Sequence, residues 1–528
     1  MRRLLTVLAA GVPLAAAVCL PTASAETRDG SAAAPFACSA PSVKAPAGTE
    51  VESVTAVRQE GGTIIGTGAL GGSVSGVPAY CEVTVTLTHP GDNDHARVRT
   101  WLPVSGWNGR FQGLGGAAYL AGDNGVGLGT AVKNGYAAVS TDAGVGDALD
   151  TSWALDSEGQ VNTALLENFA SRSQHEAAVV GKEVVDAIYG KRPAYSYFTG
   201  CSTGGRQGYM EAQRYPDDYD GILADAPAVN WDEFEVATLW PQVVMNNEKT
   251  YPSKCEFDAF TNAAVKACDS LDGVKDGLVN DPSRCDFDPR RLIGTKVVCE
   301  GRELTITAAD AAVVRKIWDG PRTPSGKKLW YGVPVGADIS ALAGADPFQV
   351  PAAWVKLWVA KNPSLDLSTI TYSQFTQLFK QSQAEYDKVI GTDDPDLSAF
   401  RKSGGKLLTW HGLADQYIPT QGTVHYREKV ERELGGTKRV DDFYRLFLAP
   451  GTNHCGLNGA DGSTDGLAAL TAWVEHGKAP KTLPATLINA DGQSVTRDLC
   501  TYPQVSRYKR YGDPAVASSF KCVSPSRH

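Results

Sequence analysis

Residues 194–227 read AYSYFTGCSTGGRQGYMEAQRYPDDYDGILADAP. Residues 195–199 are aromatic and β-prone, Gly200-Cys201-Ser202-Thr203-Gly204 follows, and residues 205–214 have helical character. Strand, tight turn and helix with G-x-S-x-G at the turn is the pattern of a nucleophile elbow, in which a strained turn lifts a serine hydroxyl above a parallel sheet. Five-residue G-x-S-x-G strings also occur by chance, so the flanking strand and helix carry the reading.

The chain around this stretch has the rhythm an elbow needs. Residues 51–88 are rich in Val, Thr and Gly with alternating character, as antiparallel strands are. Residues 96–104 predict a further strand, and 111–120 (FQGLGGAAYL) a strand ending in a glycine-rich turn. A buried strand over 136–140, a helix over 169–189 and a strand over 220–224 complete an alternation that implies a parallel sheet covered on both faces. The alternation stops near Val229. From there to Leu397 the sequence carries Trp231, Trp240, Trp318, Trp330, Trp354 and Trp358, several short helices and a loop dense in aspartate. Sheet character returns at 406–410 and at 443–448. The expectation is an α/β-hydrolase fold built from 26–228 and 398–528. A large lid domain, 229–397, is inserted between late strands of the sheet, above the elbow.

An activated serine needs a base, and the base needs an orienting acid. In α/β-hydrolases they follow one another as Ser, then Asp or Glu, then His. Of 8 histidines, His411, His425, His454, His476 and His528 follow Ser202. His454 sits in a loop directly after a late predicted strand and is read as the base. His425 and His476 fall in helical runs, His528 is terminal, and His411 precedes the acid on the same strand end; these four are assigned to packing or surface. Asp415, in the loop after LLTWHG, is read as the acid. The cysteines supply a geometric check, because Cys201 adjoins Ser202 and Cys455 adjoins His454. A Ser–His hydrogen bond of about 3 Å brings the neighbouring backbones within the roughly 4.4–6.8 Å Cα separation of a disulfide. A Cys201–Cys455 bridge is therefore predicted. The oxyanion hole is assigned to the N–H of Thr203 and a second N–H from the early glycine turn, Gly115 or Gly116.

The N-terminus reads MRR, then an apolar stretch from Leu4 to Leu20, then Ala23-Ser24-Ala25. That is a secretory signal peptide over 1–25, and a secreted, extracellular protein is expected. No other apolar run approaches membrane length, so no membrane association is expected. A net charge of -9 without a Lys/Arg cluster argues against nucleic acid as a partner. Of 11 cysteines, Cys19 leaves with the leader, and the remaining even number reads as disulfides in an exported chain. Oligomeric state does not follow from the sequence.

Taken together, GCSTGGRQ (200–207), HGLAD (411–415) and NHC (453–455) resemble the tannase/feruloyl esterase family of secreted serine esterases. RYPDDYDGILADAPAVNW (214–231) resembles the segment after that family's elbow, and the resemblance runs from about Cys38 to the C-terminus. It implies hydrolysis of carboxylic esters of phenolic acids such as ferulate or gallate through an acyl-enzyme, with a terephthalate monoester as an alternative. The implied partner is a small-molecule aromatic ester of plant cell-wall or tannin origin. The resemblance also implies a bridge between the cysteines beside the catalytic serine and histidine, in agreement with Cys201–Cys455. It places Cys38–Cys81 and Cys500–Cys522 near the termini, which leaves Cys255 with Cys299. Two departures stand out. The early turn, GLGGAAYL (113–120), is less glycine-rich than the family's, and Val145 stands where a histidine often follows D-x-G.

Residues 268–285 read CDSLDGVKDGLVNDPSRC. Asp269, Asp272 and Asp276 make a turn dense in the hard oxygen donors that calcium takes, but the spacing is not that of an EF-hand. From the residues alone a solvated acidic turn is the simpler reading. The resemblance implies a structural calcium in the lid, held by the side chains of Asp269, Asp272 and Asp276 and the carbonyls of Val274 and Leu278. Cys268–Cys285 then closes the loop, and no organic cofactor is implied. The rival readings are a general carboxylesterase, a lipase or peptidase with the same triad, and a non-catalytic exported binding protein, since fold does not imply function.

Overall fold

The computed structural model describes residues 36–460 and 462–525; the leader over 1–25 and His528 lie outside the described residues. Nine strands form the central sheet: β1 Glu50–Gln59, β2 Tyr80–Thr88, β3 Ala96–Pro103, β4 Arg110–Leu114, β5 Ala137–Thr141, β6 Tyr195–Cys201, β7 Gly221–Asp225, β8 Lys406–Gly412 and β9 Tyr444–Ala449. Their spatial order is β1-β2-β3-β5-β4-β6-β7-β8-β9. Pairing is antiparallel from β1 through β3 to β5 and parallel from β5 to β9. The residue pattern accounts for the change. β2 alternates, with Val83, Val85 and Leu87 buried between half-exposed threonines, whereas β5 (AAVST) and β7 (GILAD) are buried at every position, as strands covered on both faces are.

The helices α1 Val126–Lys133, α2 Ser173–Tyr189, α3 Thr203–Arg214, α4 Trp231–Thr238, α5 Thr420–Leu434 and α6 Gly466–His476 position the site. Buried residues of α2, α3 and α5 share a core with one face of the sheet, and those of α1 and α6 share one with the other face. Two expected elements differ in extent. β4 stops at Leu114, because the Gly115 N–H turns to the Thr199 carbonyl (3.0 Å) and the chain then leaves the sheet. The helix expected over 169–189 is regular only from Ser173, after a wider π-helical turn, Asn168–Arg172.

Between Asp225 and Lys406 the chain adds no strand to the central sheet. Its Trp231, Phe234, Trp240, Trp354, Trp358 and Phe375 join Tyr119, Trp153 and Phe169 from sheet-side loops in a single core. This segment therefore packs directly onto the loops around the elbow. A feature the sequence reading did not anticipate lies near the C-terminus. Gly462–Thr464, Thr482–Ile488 and Ser494–Cys500 form an antiparallel sheet, whose Leu483, Leu487, Val495 and Leu499 bury against Trp410 and Phe447. All five expected disulfides are present: Cys38–Cys81, Cys201–Cys455, Cys255–Cys299, Cys268–Cys285 and Cys500–Cys522.

Candidate active site

Ser202 sits between β6 and α3 with φ 65° and ψ -123°, a strained conformation for a residue with a Cβ. The strain is held by hydrogen bonds on both sides: its N–H donates to the Asp225 carbonyl (3.0 Å), and its carbonyl accepts from Arg206 (2.9 Å) and Ala228 (3.1 Å). Gly200 is required by approach, since a Cβ there would lie 2.5 Å from the Gly204 backbone carbon. The first turn of α3 thus lies against the strand end and presents Ser202 above the sheet.

Asp415 follows β8 and His454 follows β9. Nδ1 of His454 lies 2.7 Å from Oδ2 of Asp415, which leaves Nε2 for the serine side. The backbone N–H of His454 donates to Gln416 Oε1 at 3.0 Å, and the Tyr417 ring stands edge-on to the imidazole at 5.6 Å. Asp415 is fully buried, and its Oδ1 accepts from the N–H groups of Tyr417 (2.9 Å) and Ile418 (2.8 Å). Burial alone would raise its pKa. The charge of His454 and hydrogen bonds from His411 and His454 outweigh burial and hold the carboxyl well below the usual carboxylate range. Cys201 and Cys455 are bridged with a Cα separation of 6.1 Å, so the segments of the serine and the histidine are covalently joined.

His411, assigned from sequence to packing, is wholly buried but also touches the acid. Its Nε2 lies 3.0 Å from Asp415 Oδ2 and 3.1 Å from the Ile418 carbonyl, and its Nδ1 lies 2.9 Å from Thr423 Oγ1. Both neighbours of Nε2 are acceptors, so Nε2 carries the proton and His411 is a second donor to Asp415. The available signal was its place at the strand end, four residues before the acid. His425 is half-buried and His476 exposed on their helices, and neither lines the cavity that Ser202 and His454 share.

The expected oxyanion donors need a correction. Thr203 opens α3, and its N–H makes no hydrogen bond among the described residues. Gly115 and Gly116 are both engaged elsewhere: the Gly115 N–H donates to Thr199, and that of Gly116 to Gln207 Oε1 at 2.9 Å. Gln207, buried on α3, also donates to the Ala121 carbonyl at 2.8 Å and so clamps the early turn onto the elbow helix. The free donor of that turn is Ala118. It has φ 50°, lines the cavity, and its N–H has no partner among the described residues. Thr203 Oγ1 donates to the Ala118 carbonyl at 2.7 Å and fixes that residue beside the serine.

Ser202, Thr203, His454 and the Cys201–Cys455 bridge line a cavity of about 410 Å³. Its walls come from one face of α4 (Trp231, Phe234, Glu235, Thr238), from Phe348 and Val350, from Tyr417 and Ile418, and from Gly116–Ala118. The inserted segment thus supplies much of the wall. Of its tryptophans Trp231 reaches the cavity, while Trp240, Trp330, Trp354 and Trp358 pack the core shared with the sheet-side loops. Val145 does not line the cavity and packs against that core.

The Asp turn packs against the C-terminal sheet, with Asn489 donating to the Asp276 carbonyl at 3.0 Å. Arg497 pairs with Asp276, Asn280 donates to Asp272, and Asp269 Oδ1 accepts from the N–H groups of Asp276 (3.0 Å) and Gly277 (3.1 Å). Burial, then the Asp276 and Asp269 carboxylates, push Asp272 up to about 7. The carbonyls of Val274 and Leu278 accept no hydrogen bond from described residues. Carboxylates and free carbonyls are the hard oxygen donors a divalent cation takes, but the ligating oxygens of Asp269, Asp272 and Asp276 do not converge within 4.8 Å. The described residues whose ligating atoms already converge, within 4.8 Å, are His89, Asp92 and Asp94. There Arg172 already pairs with Asp92 at 3.0 Å, and His89 lies 2.7 Å from both Asp94 and Glu176.

The sequence model of the family described as "Tannase and feruloyl esterase" matches residues 81–523. The chain is 50% identical over 461 residues to "Probable feruloyl esterase" of Arthroderma benhamiae, covering 84% of this chain and 85% of the relative. Among solved structures it is similar to the tannin acyl hydrolase from Aspergillus niger, with TM-score 0.81, 27% identity and coverage of 92% and 93% of the two chains. Feruloyl esterase B from Aspergillus oryzae is similar with TM-score 0.77, 28% identity and coverage of 91% and 98%.

Proposed function

The chain belongs to the tannase and feruloyl esterase family, and on that footing we propose that it hydrolyses carboxylic esters of phenolic acids through an acyl-enzyme. The observation that carries the reading is the arrangement around one aromatic cavity: a serine on a strained elbow, a histidine bridged to the same segment by a disulfide, and a buried aspartate behind it. Ser202 Oγ attacks the ester carbonyl as His454 Nε2 takes its proton. Asp415 holds the imidazole in the tautomer that leaves Nε2 free and stabilises the imidazolium. The N–H groups of Thr203 and Ala118 receive the oxyanion, the former at the positive end of α3. His454 protonates the departing alcohol, then activates water to cleave the acyl-enzyme. The cavity lining holds no lysine or arginine, which favours neutral aromatic acyl groups over a terephthalate monoester.

The fluorophosphonate reaction tests the assignment: wild type is labelled, and Ser202→Ala is not and loses turnover. Labelling of the Ala variant at the wild-type rate overturns it. On the substrate side, kcat/KM for methyl ferulate or methyl gallate exceeds that for methyl butyrate by at least about tenfold, roughly 1.4 kcal/mol. Equal rates would make the protein a general carboxylesterase. The Asp turn, in this reading, holds a calcium through Asp269, Asp272, Asp276 and the carbonyls of Val274 and Leu278, and because none of these residues lines the cavity its role is structural. Export of the chain is supported by its five disulfides and the leader-like N-terminus.

A further inference from the structure

The cavity contains a polar group that the triad does not use. Trp231, Phe234, Glu235 and Thr238 occupy one face of α4 and line the cavity together, as residues three and four apart on a helix do. Glu235 is the only carboxyl in that lining, and it is 4% exposed. Thr238 is satisfied by the Phe234 carbonyl at 2.8 Å, but the Glu235 carboxyl has no hydrogen bond or ion pair among the described residues. Its oxygens are not among the sealed, partnerless atoms of the core, as those of Glu211 are, so they open onto the cavity. Burial, with no partner to offset it, pushes the carboxyl up to about 8. Around it stand Trp231, Phe234, Phe348 and Tyr417, which suit the face of an aromatic ring. A buried polar group without a protein partner needs an explanation, and one that lines a cavity can be completed by a ligand bound there.

We propose that Glu235 determines specificity by pairing with a phenolic hydroxyl of the acyl group. The inference rests on the function proposed above and names the substrate group its cavity recognises. A neutral carboxyl both donates and accepts, so it matches a hydroxyl, which does the same. A site built around such a pair rejects the analogue that lacks the hydroxyl, because the carboxyl is then left buried and unpaired.

The test compares methyl 4-hydroxycinnamate with methyl cinnamate at pH 6. A para hydroxyl feeds electron density towards the acyl carbonyl and slows attack, so faster turnover of the hydroxylated ester reports recognition. In the wild type the kcat/KM ratio is expected at about tenfold or more. In Glu235→Leu the ratio falls to about one, and Glu235→Gln, which keeps a donor and an acceptor, preserves most of it. A wild-type ratio near one, or a ratio unchanged in Glu235→Leu, overturns the proposal. Should Glu235→Leu fail to fold, inhibition of wild type by 4-ethylphenol against ethylbenzene decides: stronger inhibition by the phenol supports the pairing, and equal inhibition overturns it. If neither cinnamate nor methyl gallate is hydrolysed faster than methyl butyrate, the proposed function falls and this inference with it. Fast turnover of both cinnamates at equal rates removes this inference alone.

Discussion

Replacing Cys201 and Cys455 together by alanine cuts the covalent tie between the segment of Ser202, the proposed nucleophile, and that of His454, the proposed base. The bridge closes a loop with a sequence separation of 254 residues. In the chain-entropy treatment a loop of that size is worth about 5.5 kcal/mol at 25 °C. The Cys255–Cys299 bridge inside it spans 44 residues and shortens the loop too little to change a logarithm appreciably. With an unfolding entropy of about 2.1 cal/mol/K per residue, a chain of this size loses roughly 5 °C in Tm. The catalytic effect is separate. His454 keeps its Asp415 partner at 2.7 Å and its Gln416 contact, so what loosens is its alignment on Ser202. A misplacement of about 1 Å can cost a hundredfold, and partial anchoring places the expected loss of kcat near tenfold. Thermal melting and steady-state kinetics on a p-nitrophenyl ester, well below the melting range, separate the two effects. A drop in Tm with kcat within twofold of wild type refutes the alignment argument. An unchanged Tm refutes the loop-entropy one.

His411→Phe fills the volume but deletes the second donor to Asp415 and leaves the Thr423 hydroxyl and Ile418 carbonyl unpaired; about 1–3 kcal/mol of stability and about tenfold in kcat are expected to go with KM little changed, and an unchanged kcat would mean that His411 only packs. Purified protein is expected to carry about one calcium per chain by elemental analysis, with Asp272→Asn losing it and melting earlier; metal-free wild type with a full Tm would leave the Asp turn a solvated loop. Stability is expected to fall as pH rises towards 8. Burial, then Glu233 and its acidic neighbours, push Asp232 up to about 8, so the folded state favours its neutral form. That stabilisation is complete below the unfolded carboxyl pKa and is lost as pH rises through the folded one, at up to about 1.4 kcal/mol per pH unit. Tm measured from pH 4 to 9 should decline less steeply in Asp232→Asn, and identical slopes would refute the assignment.

The parts of the site legible in the sequence are those set by short-range pattern. The elbow announces itself because strand, glycine turn and helix lie within twenty residues, and Asp415 and His454 because each follows a buried strand. The Cys201–Cys455 bridge was legible because the two cysteines have to meet if their neighbours Ser202 and His454 do. What the sequence reading missed depends on contacts between distant residues. His411 reaches Asp415 across a tight turn whose geometry no periodicity encodes, and the C-terminal sheet is recognisable only through its burial against Trp410 and Phe447.

The oxyanion donors show why the failures took the form they did. The sequence points to Gly115 and Gly116 as donors only by their position in the early turn. In the structure they are glycines because other backbone approaches them: a Cβ on Gly116 would lie 1.9 Å from the Leu120 carbonyl oxygen, and one on Gly115 would lie 2.6 Å from the Gly204 Cα. The same closeness engages their N–H groups, that of Gly116 with a side chain 91 residues away. Ala118, with a Cβ and a left-handed backbone, keeps its N–H free because the turn has already passed the crowded point. A glycine therefore marks where the chain is tight, and the free donor stands where the tightness ends. If that is right, Gly116→Ala should disrupt the fold of the turn and lower stability, whereas a change at Ala118 that distorts its peptide, such as Ala118→Pro, should lower kcat with less effect on KM. A stable Gly116→Ala enzyme with a selective loss of kcat would return the oxyanion role to Gly116.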